Sequence, residues 1–166
     1  EDGKGNIWVG SPTGLSVIDF DEGTIQTVEN QKGSPLVSVN GLFSDSKDRI
    51  WVGTANDGVS IIDPNREKIQ HLGRSQGITG SINHFTEGND QKIWMSSING
   101  VYIFDPAKQT LKHLNASNGL SDDPVVTTYL DKQGQIWIAS GKGLNLMDTE
   151  GLMPNFLTAD DGLSSP

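Results

Sequence analysis

Histidine is the side chain best able to transfer a proton near neutral pH or to bind a metal, and this chain has three of them. His71 ("IQHL") and His113 ("LKHL") each lie eight residues after an aspartate, Asp63 and Asp105 respectively. They therefore hold the same position in two copies of a repeated pattern, on the outermost strand of two neighbouring sheets. Because outer strands of neighbouring sheets do not converge, we predict that both are surface strand residues.

His84 differs because it falls on a predicted first, innermost strand ("INHF"), where Gly41 and Thr127 occupy the matching places of other repeats. There the imidazole could face a central channel, although a partly buried histidine bonded to the backbone is the commoner role of such a residue. No nucleophile elbow, phosphate-binding glycine loop or zinc-ligand spacing accompanies it in the sequence. The sequence therefore predicts a binding protein rather than an enzyme, with no cofactor, no metal and no catalytic residue.

The charge balance restricts the partners of the chain. Among 166 residues, 21 are acidic and 12 are basic, which gives a net charge of -9. Phosphate backbones and anionic lipid surfaces would repel such a surface, so we expect no nucleic-acid partner and no direct membrane contact in this segment. No stretch approaches the roughly 18 apolar residues of a membrane span, and the absence of cysteine leaves the redox compartment undetermined.

A repeat of 43 residues organises the chain. All four tryptophans follow it, each is followed by a glycine turn, and each repeat then reaches an aspartate. The repeated positions are Trp8, Trp51, Trp94 and Trp137; Gly14, Gly58, Gly100 and Gly143; Asp19, Asp63, Asp105 and Asp148. Periods of about 40–50 residues that carry several short strands are typical of propeller blades. We predict an all-β propeller fold of about four blades, in which the tryptophans pack between neighbouring blades; a stacking platform for a sugar ring or a quinone is the alternative.

One complete repeat shows the predicted strands: "VSVNGLFSD", "RIWVGT", "VSIID" and "KIQHL", separated by turn-forming residues. The resulting blades cover residues 1–35, which lack a first strand, and residues 36–78, 79–121 and 122–166. The sequence thus predicts 15 strands in four antiparallel sheets. We interpret the chain as a fragment or arc of a larger propeller, with open blade edges through which copies could associate.

The turn before each tryptophan has its own chemistry. In three repeats an aspartate opens this turn and a residue that tolerates positive φ closes it. These pairs are Asp2 and Gly5, Asp45 and Asp48, and Asp131 and Gly134. The third repeat has Gly88 in place of the aspartate, and we expect a rearranged turn there.

The stretch "NGLSDDPVVTTYLDKQGQIWIASGKGLNLMD" at residues 118–148 resembles the two-component-regulator propeller repeat. The first two repeats resemble it well and the third loosely. The resemblance implies an extracytoplasmic, periplasmic sensor region of a hybrid two-component histidine kinase, whose small-molecule ligand is an oligosaccharide. It also implies that kinase activity belongs to a region absent here.

Two other interpretations remain open. "GNIW" at residues 5–8 and "IIDP" at residues 61–64 are similar to the repeats of streptogramin lyases, whose enzymes use a histidine and a metal. A propeller that serves only as a spacer or a dimerisation module is the second alternative.

Ligands of propellers commonly contact the loops between the second and third strands and between consecutive blades. These loops are residues 54–57, 97–100, 140–143, 74–80 and 115–124, and we expect them to vary while the strands stay alike. The candidate ligand-binding residues are Asn56, Asp57, Arg74, His84, Asn99 and Lys142.

Overall fold

A computed structural model describes residues 1–30, 33–34, 36–147 and 155–163. Asp148, the last aspartate of the repeat pattern, lies outside the described residues. Within them the chain forms fifteen strands and two single-turn 3₁₀ helices, at Arg74–Gln76 and Ala159–Asp161. The strands are β1 (Ile7–Ser11), β2 (Gly14–Asp19), β3 (Thr24–Val28), β4 (Val39–Ser44), β5 (Ile50–Thr54), β6 (Val59–Ile62), β7 (Ile69–Leu72), β8 (Ile82–Glu87), β9 (Ile93–Ser97), β10 (Gly100–Asp105), β11 (Thr110–Leu114), β12 (Val125–Leu130), β13 (Ile136–Ser140), β14 (Gly143–Met147) and β15 (Asn155–Leu157).

The strands form four antiparallel meanders, in which each strand pairs with its neighbour in sequence. Sheet 1 has three strands (β1–β3), and sheets 2 (β4–β7), 3 (β8–β11) and 4 (β12–β15) have four each. The all-β prediction is therefore confirmed, with the expected three-stranded first sheet. No helix in the described part of the chain is long and apolar enough to cross a membrane.

The chain divides into two compact units, residues 1–82 and residues 83–166. In the first unit, sheet 1 packs face to face on sheet 2. Leu15 of sheet 1 is fully buried against Ile50 and Val52 of sheet 2, and Trp8 joins the same cluster. Gly10 lies two residues after Trp8 on this face, where a side chain would collide with Val39 of the facing strand. A small residue at this position lets the two sheets approach closely.

In the second unit, sheet 3 packs on sheet 4 in the same manner. Trp94, Val101 and Ile103 of sheet 3 are buried against Ile136 and Ile138 of sheet 4. In both units the face that carries the repeated tryptophan, here called the tryptophan face, therefore contacts the opposite face of the following sheet. Burying two apolar sheet faces against each other is the main source of stability available to such short strands.

Three tryptophans donate their indole N–H to the aspartate that opens the preceding turn. The Nε1–Oδ2 distances are 2.9 Å from Trp8 to Asp2, 2.7 Å from Trp51 to Asp45 and 2.8 Å from Trp137 to Asp131. The other carboxylate oxygen accepts two backbone N–H groups of the turn, as with Gln133 and Gln135 around Asp131. One carboxylate thus ties the turn to the indole that packs in or near the core.

The third repeat lacks this carboxylate, yet its turn has the same backbone. Gly88 N donates to Lys92 O and Gln91 N donates to Gly88 O, both at 2.9 Å, and Gln91 takes the positive φ of 62°. The expectation of a rearranged turn is therefore wrong, because the backbone hydrogen bonds depend on the length of the turn and not on its first side chain. Asp90 accepts the Lys92 N–H instead, and the fully buried Trp94 Nε1 has no hydrogen-bond partner.

Candidate ligand-binding loops

The hairpin turn after each tryptophan strand is held by a hydroxyl group. Ser11, Thr54, Ser97 and Ser140 donate their hydroxyls to the carbonyl of the glycine that ends the turn, at 3.0 to 3.1 Å. Of these glycines, Gly143 has a φ of 138°, and a side chain there would collide with the Leu157 carbonyl. Gly14 has open space around it. The turn geometry therefore needs glycine in sheet 4 but not in sheet 1.

Asn56 and Asp57 lie in the β5–β6 turn, where the glycine comes four residues after the hydroxyl residue, instead of three residues as in the β1–β2, β9–β10 and β13–β14 turns. Both are exposed, and the Asp57 N–H is held by Thr54 Oγ1 at 2.9 Å. Asp57 Oδ1 lies 3.8 Å from Nε2 of His71, which is exposed on β7 as predicted. The turn carboxylate and amide and the imidazole of His71 on β7 therefore lie at the same end of sheet 2.

Arg74 begins the single-turn helix that follows β7, and its side chain is exposed. Its loop has a form that recurs between sheets 3 and 4 and again after β15. The N–H groups of Ile78, Leu120 and Leu163 donate to the carbonyls of Gly73, Asn115 and Thr158, five residues earlier. The backbone N–H of the first residue of each loop donates to a side-chain oxygen three residues later in the chain. These side chains belong to Gln76, Asn118 and Asp161. The first halves of these loops thus differ in sequence but share one backbone hydrogen-bond pattern, and the first of them has a buried aliphatic residue, Ile78, at its end.

Asn99 lies in the β9–β10 turn and is half-buried. Its carbonyl accepts a hydrogen bond from His113 Nε2 at 2.8 Å, and the His113 ring stacks on the buried Tyr102 ring with centroids 4.2 Å apart. Since a carbonyl can only accept, Nε2 of His113 carries a proton in this hydrogen bond. His113 is thus a half-buried residue that supports the turn, rather than the surface residue that the sequence predicted.

Lys142 is exposed in the β13–β14 turn, with its ammonium 3.5 Å from the Asp122 carboxylate of the preceding loop. The same loop is fastened by Asn145 on β14, which is fully buried. Asn145 accepts the Ser121 N–H and donates to Ser121 Oγ, both at 2.9 Å, and Ser121 also bonds the Ser140 hydroxyl. Sequence reasoning missed Asn145 and Ser121, since neither occupies a repeated position of the same residue type.

His84 lies on β8, where Thr127 Oγ1 is 3.2 Å from its Nδ1. Its side chain is exposed, but partial burial by the surrounding residues lowers its pKa. A second pair lies beside it, in which Thr86 donates to the Thr128 carbonyl at 2.7 Å. The hydrogen-bond partner of His84 is thus Thr127, which is not one of the predicted ligand residues. In the described residues, no group of three or more His, Asp or Glu side chains is placed to hold a metal ion.

Comparison with known proteins identifies the repeats. A family model described as "Two component regulator propeller" matches residues 33–56 and 119–142, which contain the turns and strands around Trp51 and Trp137. Two segments of the chain therefore match the two-component regulator propeller repeat. None of the curated proteins has a sequence that matches it.

Solved structures share the propeller fold. The extracellular domain of a putative hybrid two-component system from B. thetaiotaomicron is 22% identical with a TM-score of 0.84, over 99% of this chain and 23% of that chain. PorZ of the Porphyromonas gingivalis type-IX secretion system is 20% identical with a TM-score of 0.73, over 99% of this chain and 27% of that one. A streptogramin B lyase is 17% identical with a TM-score of 0.74, over 95% and 52% respectively. This chain therefore spans about a quarter of the length of the two-component domain, and the predicted propeller fold is confirmed.

Proposed function

We propose that this chain is part of the extracytoplasmic, periplasmic ligand sensor of a hybrid two-component signalling protein, and that it binds without catalysing a reaction. The match of two of its segments to two-component regulator propeller repeats is the observation that carries this proposal. Similarity in fold to an extracellular domain of a hybrid two-component system supports it. The kinase activity of the signalling pathway resides in another region of the intact protein.

The chemistry of the loops favours a neutral, hydroxyl-rich ligand such as an oligosaccharide. In the first unit, the β5–β6 turn presents Asn56 and the strongly exposed Asp57 carboxylate, both good partners for hydroxyl groups. In the second unit, the ammonium of Lys142 faces Asp122 and is therefore partly neutralised. An anionic ligand would meet carboxylates in both places, whereas a sugar can donate hydroxyl hydrogens to them.

Calorimetric titration of the chain with a panel of neutral oligosaccharides tests the proposal. We expect heat from at least one member, and a weaker affinity for Asp57→Ala, which removes the exposed carboxylate. Asp21→Ala is the matched control, because Asp21 is also an exposed turn aspartate but lies in the β2–β3 turn, at the other end of its strands. An absence of heat across the panel would contradict an oligosaccharide ligand, and an equal loss in both variants would contradict the assignment to the β5–β6 turn.

The similarity in fold to a streptogramin B lyase makes an enzyme the second candidate. Its test is metal binding by the chain and the effect of His84→Ala on it, because a histidine and a metal would be needed at such a site. We expect no stoichiometric metal binding that depends on His84. A bound divalent ion lost on this substitution would replace the sensor proposal with a lyase-type enzyme.

A further inference from the structure

Two histidines hold the same position on the outer strands of sheets 2 and 3, but their Nε2 atoms have different neighbours. His71 and His113 are each the last residue but one of their strand, β7 and β11 respectively. His113 Nε2 donates to the carbonyl of Asn99, the residue before the turn glycine, at 2.8 Å. In sheet 2 the residue before the turn glycine is Asp57, and its Oδ1 lies 3.8 Å from His71 Nε2. One histidine thus binds the backbone of its turn, whereas the other lies beside a carboxylate that is 81% exposed and that a ligand can reach.

The β5–β6 turn holds Asp57 in place next to the end of β7. The hydroxyl of Thr54 accepts the Asp57 N–H at 2.9 Å and donates to the Gly58 carbonyl at 3.1 Å. Gly58 has a φ of 70°, and a side chain there would collide with the carbonyl of Leu72 on β7. The turn therefore packs closely against the end of β7, because glycine allows the two backbones to approach. This contact fixes the backbone of Asp57 beside His71.

Gly73, two residues after His71, leaves room for the imidazole. Its φ of −134° lies outside the left-handed region that favours glycine. A Cβ atom at this position, however, would lie only 2.8 Å from His71 Nε2. The equivalent residues of the two similar loops are Asn115 and Thr158, which do carry side chains. Glycine at position 73 therefore allows the imidazole to lie with its Nε2 near the carboxylate of Asp57.

The distance between His71 Nε2 and Asp57 Oδ1 determines which ligand group fits between them. At 3.8 Å the two atoms are too far apart to share a hydrogen bond, but one oxygen atom can lie about 2.8 Å from both. A carboxylate only accepts hydrogen bonds, so the group that carries this oxygen must donate to Asp57. The nearby negative charge favours the tautomer of His71 with its proton on Nε2, which then donates to the same oxygen. A hydroxyl group meets both requirements, whereas an ether, a carbonyl or a carboxylate does not.

We propose that His71 and Asp57 together bind one hydroxyl group of the ligand, with His71 as the hydrogen-bond donor and Asp57 as the acceptor. This inference rests on the proposed function, because it concerns the neutral, hydroxyl-rich ligand of the sensor. It adds His71 to the ligand-binding residues and gives the pair a role in specificity. A derivative with hydrogen in place of this hydroxyl loses both bonds, and a methoxy derivative loses the bond to Asp57.

Calorimetric titration at pH 7.5 with disaccharides and trisaccharides of glucose, xylose, mannose and fructose tests the proposal. For the sugar that binds most tightly, we expect His71→Ala to weaken the affinity by roughly threefold to tenfold. Gly73→Ala should also weaken it, because the new methyl group displaces the imidazole without changing its chemistry. Gln70→Ala is the matched control, since Gln70 is the exposed neighbour of His71 on β7 and its side chain lies on the other face of the sheet. Circular dichroism checks that each variant folds.

Monodeoxy derivatives of the same sugar identify the hydroxyl group that the pair binds. We expect one derivative to bind the unaltered chain more weakly and to lose no further affinity with His71→Ala, because the bond is already missing. Sugar binding that His71→Ala leaves unchanged, or weakens no more than Gln70→Ala does, would overturn this inference and leave the sensor proposal standing. A series in which His71→Ala weakens every derivative equally would overturn it as well. An absence of heat with every sugar would contradict the oligosaccharide ligand itself, and this inference with it.

Discussion

The indole hydrogen bond to the turn aspartate can be measured by comparing two tryptophans that differ in this bond. Trp51 and Trp94 are both fully buried at the same repeat position. Trp51 donates to Asp45 at 2.7 Å, whereas Trp94 Nε1 has no partner. Replacing each with phenylalanine removes the same volume from the core, but only Trp51→Phe removes a hydrogen bond. We therefore expect Trp51→Phe to be the more destabilising substitution.

The magnitude follows from what each substitution removes. The smaller ring leaves a similar gap at both positions and costs about 2 kcal/mol in each case. A hydrogen bond to a charged group contributes about 1.5–3 kcal/mol. The Asp45 carboxylate keeps Arg49 Nε and two backbone N–H groups after the substitution, so the lower end applies. Trp51→Phe should thus cost about 1.5 kcal/mol more than Trp94→Phe.

Urea unfolding followed by far-UV circular dichroism measures these free energies without relying on indole fluorescence. A difference of about 1.5 kcal/mol should also appear as a difference of roughly 3–6 °C in Tm for a chain of this size. Because the two residues lie in different units, the slopes of the two transitions must agree before the midpoints are compared. Equal costs, or a larger cost for Trp94→Phe, would refute the reasoning.

The reverse experiment restores the missing carboxylate in the third repeat. A side chain at Gly88 would begin 3.4 Å from Trp94 Nε1 but 2.9 Å from an Asp90 oxygen. In an Asp90→Asn background, which removes the like charge, Gly88→Asp should raise the free energy of unfolding by about 1 kcal/mol. The gain should disappear when Trp94 is also replaced by phenylalanine, because the new carboxylate then has no indole donor. A gain that persists without the indole would assign the effect to the turn alone.

Three further experiments test other parts of the structure. Gly143→Ala should cost about 1–3 kcal/mol because of its positive φ, whereas Gly14→Ala should change the urea midpoint little. The Trp137 indole and nearby backbone N–H groups hold the pKa of Asp131 below its usual range, so its ionised form stabilises the fold above about pH 4. Asp131→Asn should therefore lower Tm at pH 7, and this difference should shrink as the pH falls through the lowered pKa. Asn145→Ala should cost about 1–3 kcal/mol and speed amide hydrogen exchange at Ser121, whose N–H loses its acceptor.

The four sheets could be predicted because the same residue pattern occurs four times in the sequence. The 43-residue spacing of the tryptophans and the glycine after each one locate the second and third strands of every sheet. Strand alternation then predicts which residues face a neighbouring sheet. The turn of the third repeat shows a limit of this reasoning. Gly88 lacks the expected side chain, but Gln91 adopts the positive φ and the backbone hydrogen bonds remain.

The candidate site was harder to predict because its contacts join residues that are distant in sequence and occur once. Asn145 holds Ser121 across 24 residues, and no other repeat has asparagine at that place. His113 became half-buried because Tyr102, its neighbour on the adjacent strand, has a ring on which it stacks. In the second repeat the same place is Ser60, and His71 remains exposed. A prediction from the residues that all repeats share cannot include contacts that occur in a single repeat.

Contacts that occur in only one repeat indicate how sheets of the same architecture acquire different turns and loops at their ends. The central residue of the third strand is Ser16, Ser60, Tyr102 or Asn145 in the four sheets. The last three are almost completely buried, yet each sits where it can reach the outer strand or the adjoining loop. Tyr102 supports the turn at Asn99 through His113, and Asn145 fixes the loop that carries Asp122. These buried residues determine the positions of exposed ones. Substituting them can therefore change the shape of a turn or loop without replacing the residues that would contact a ligand. The packing of the tryptophan faces within each unit does not depend on these residues.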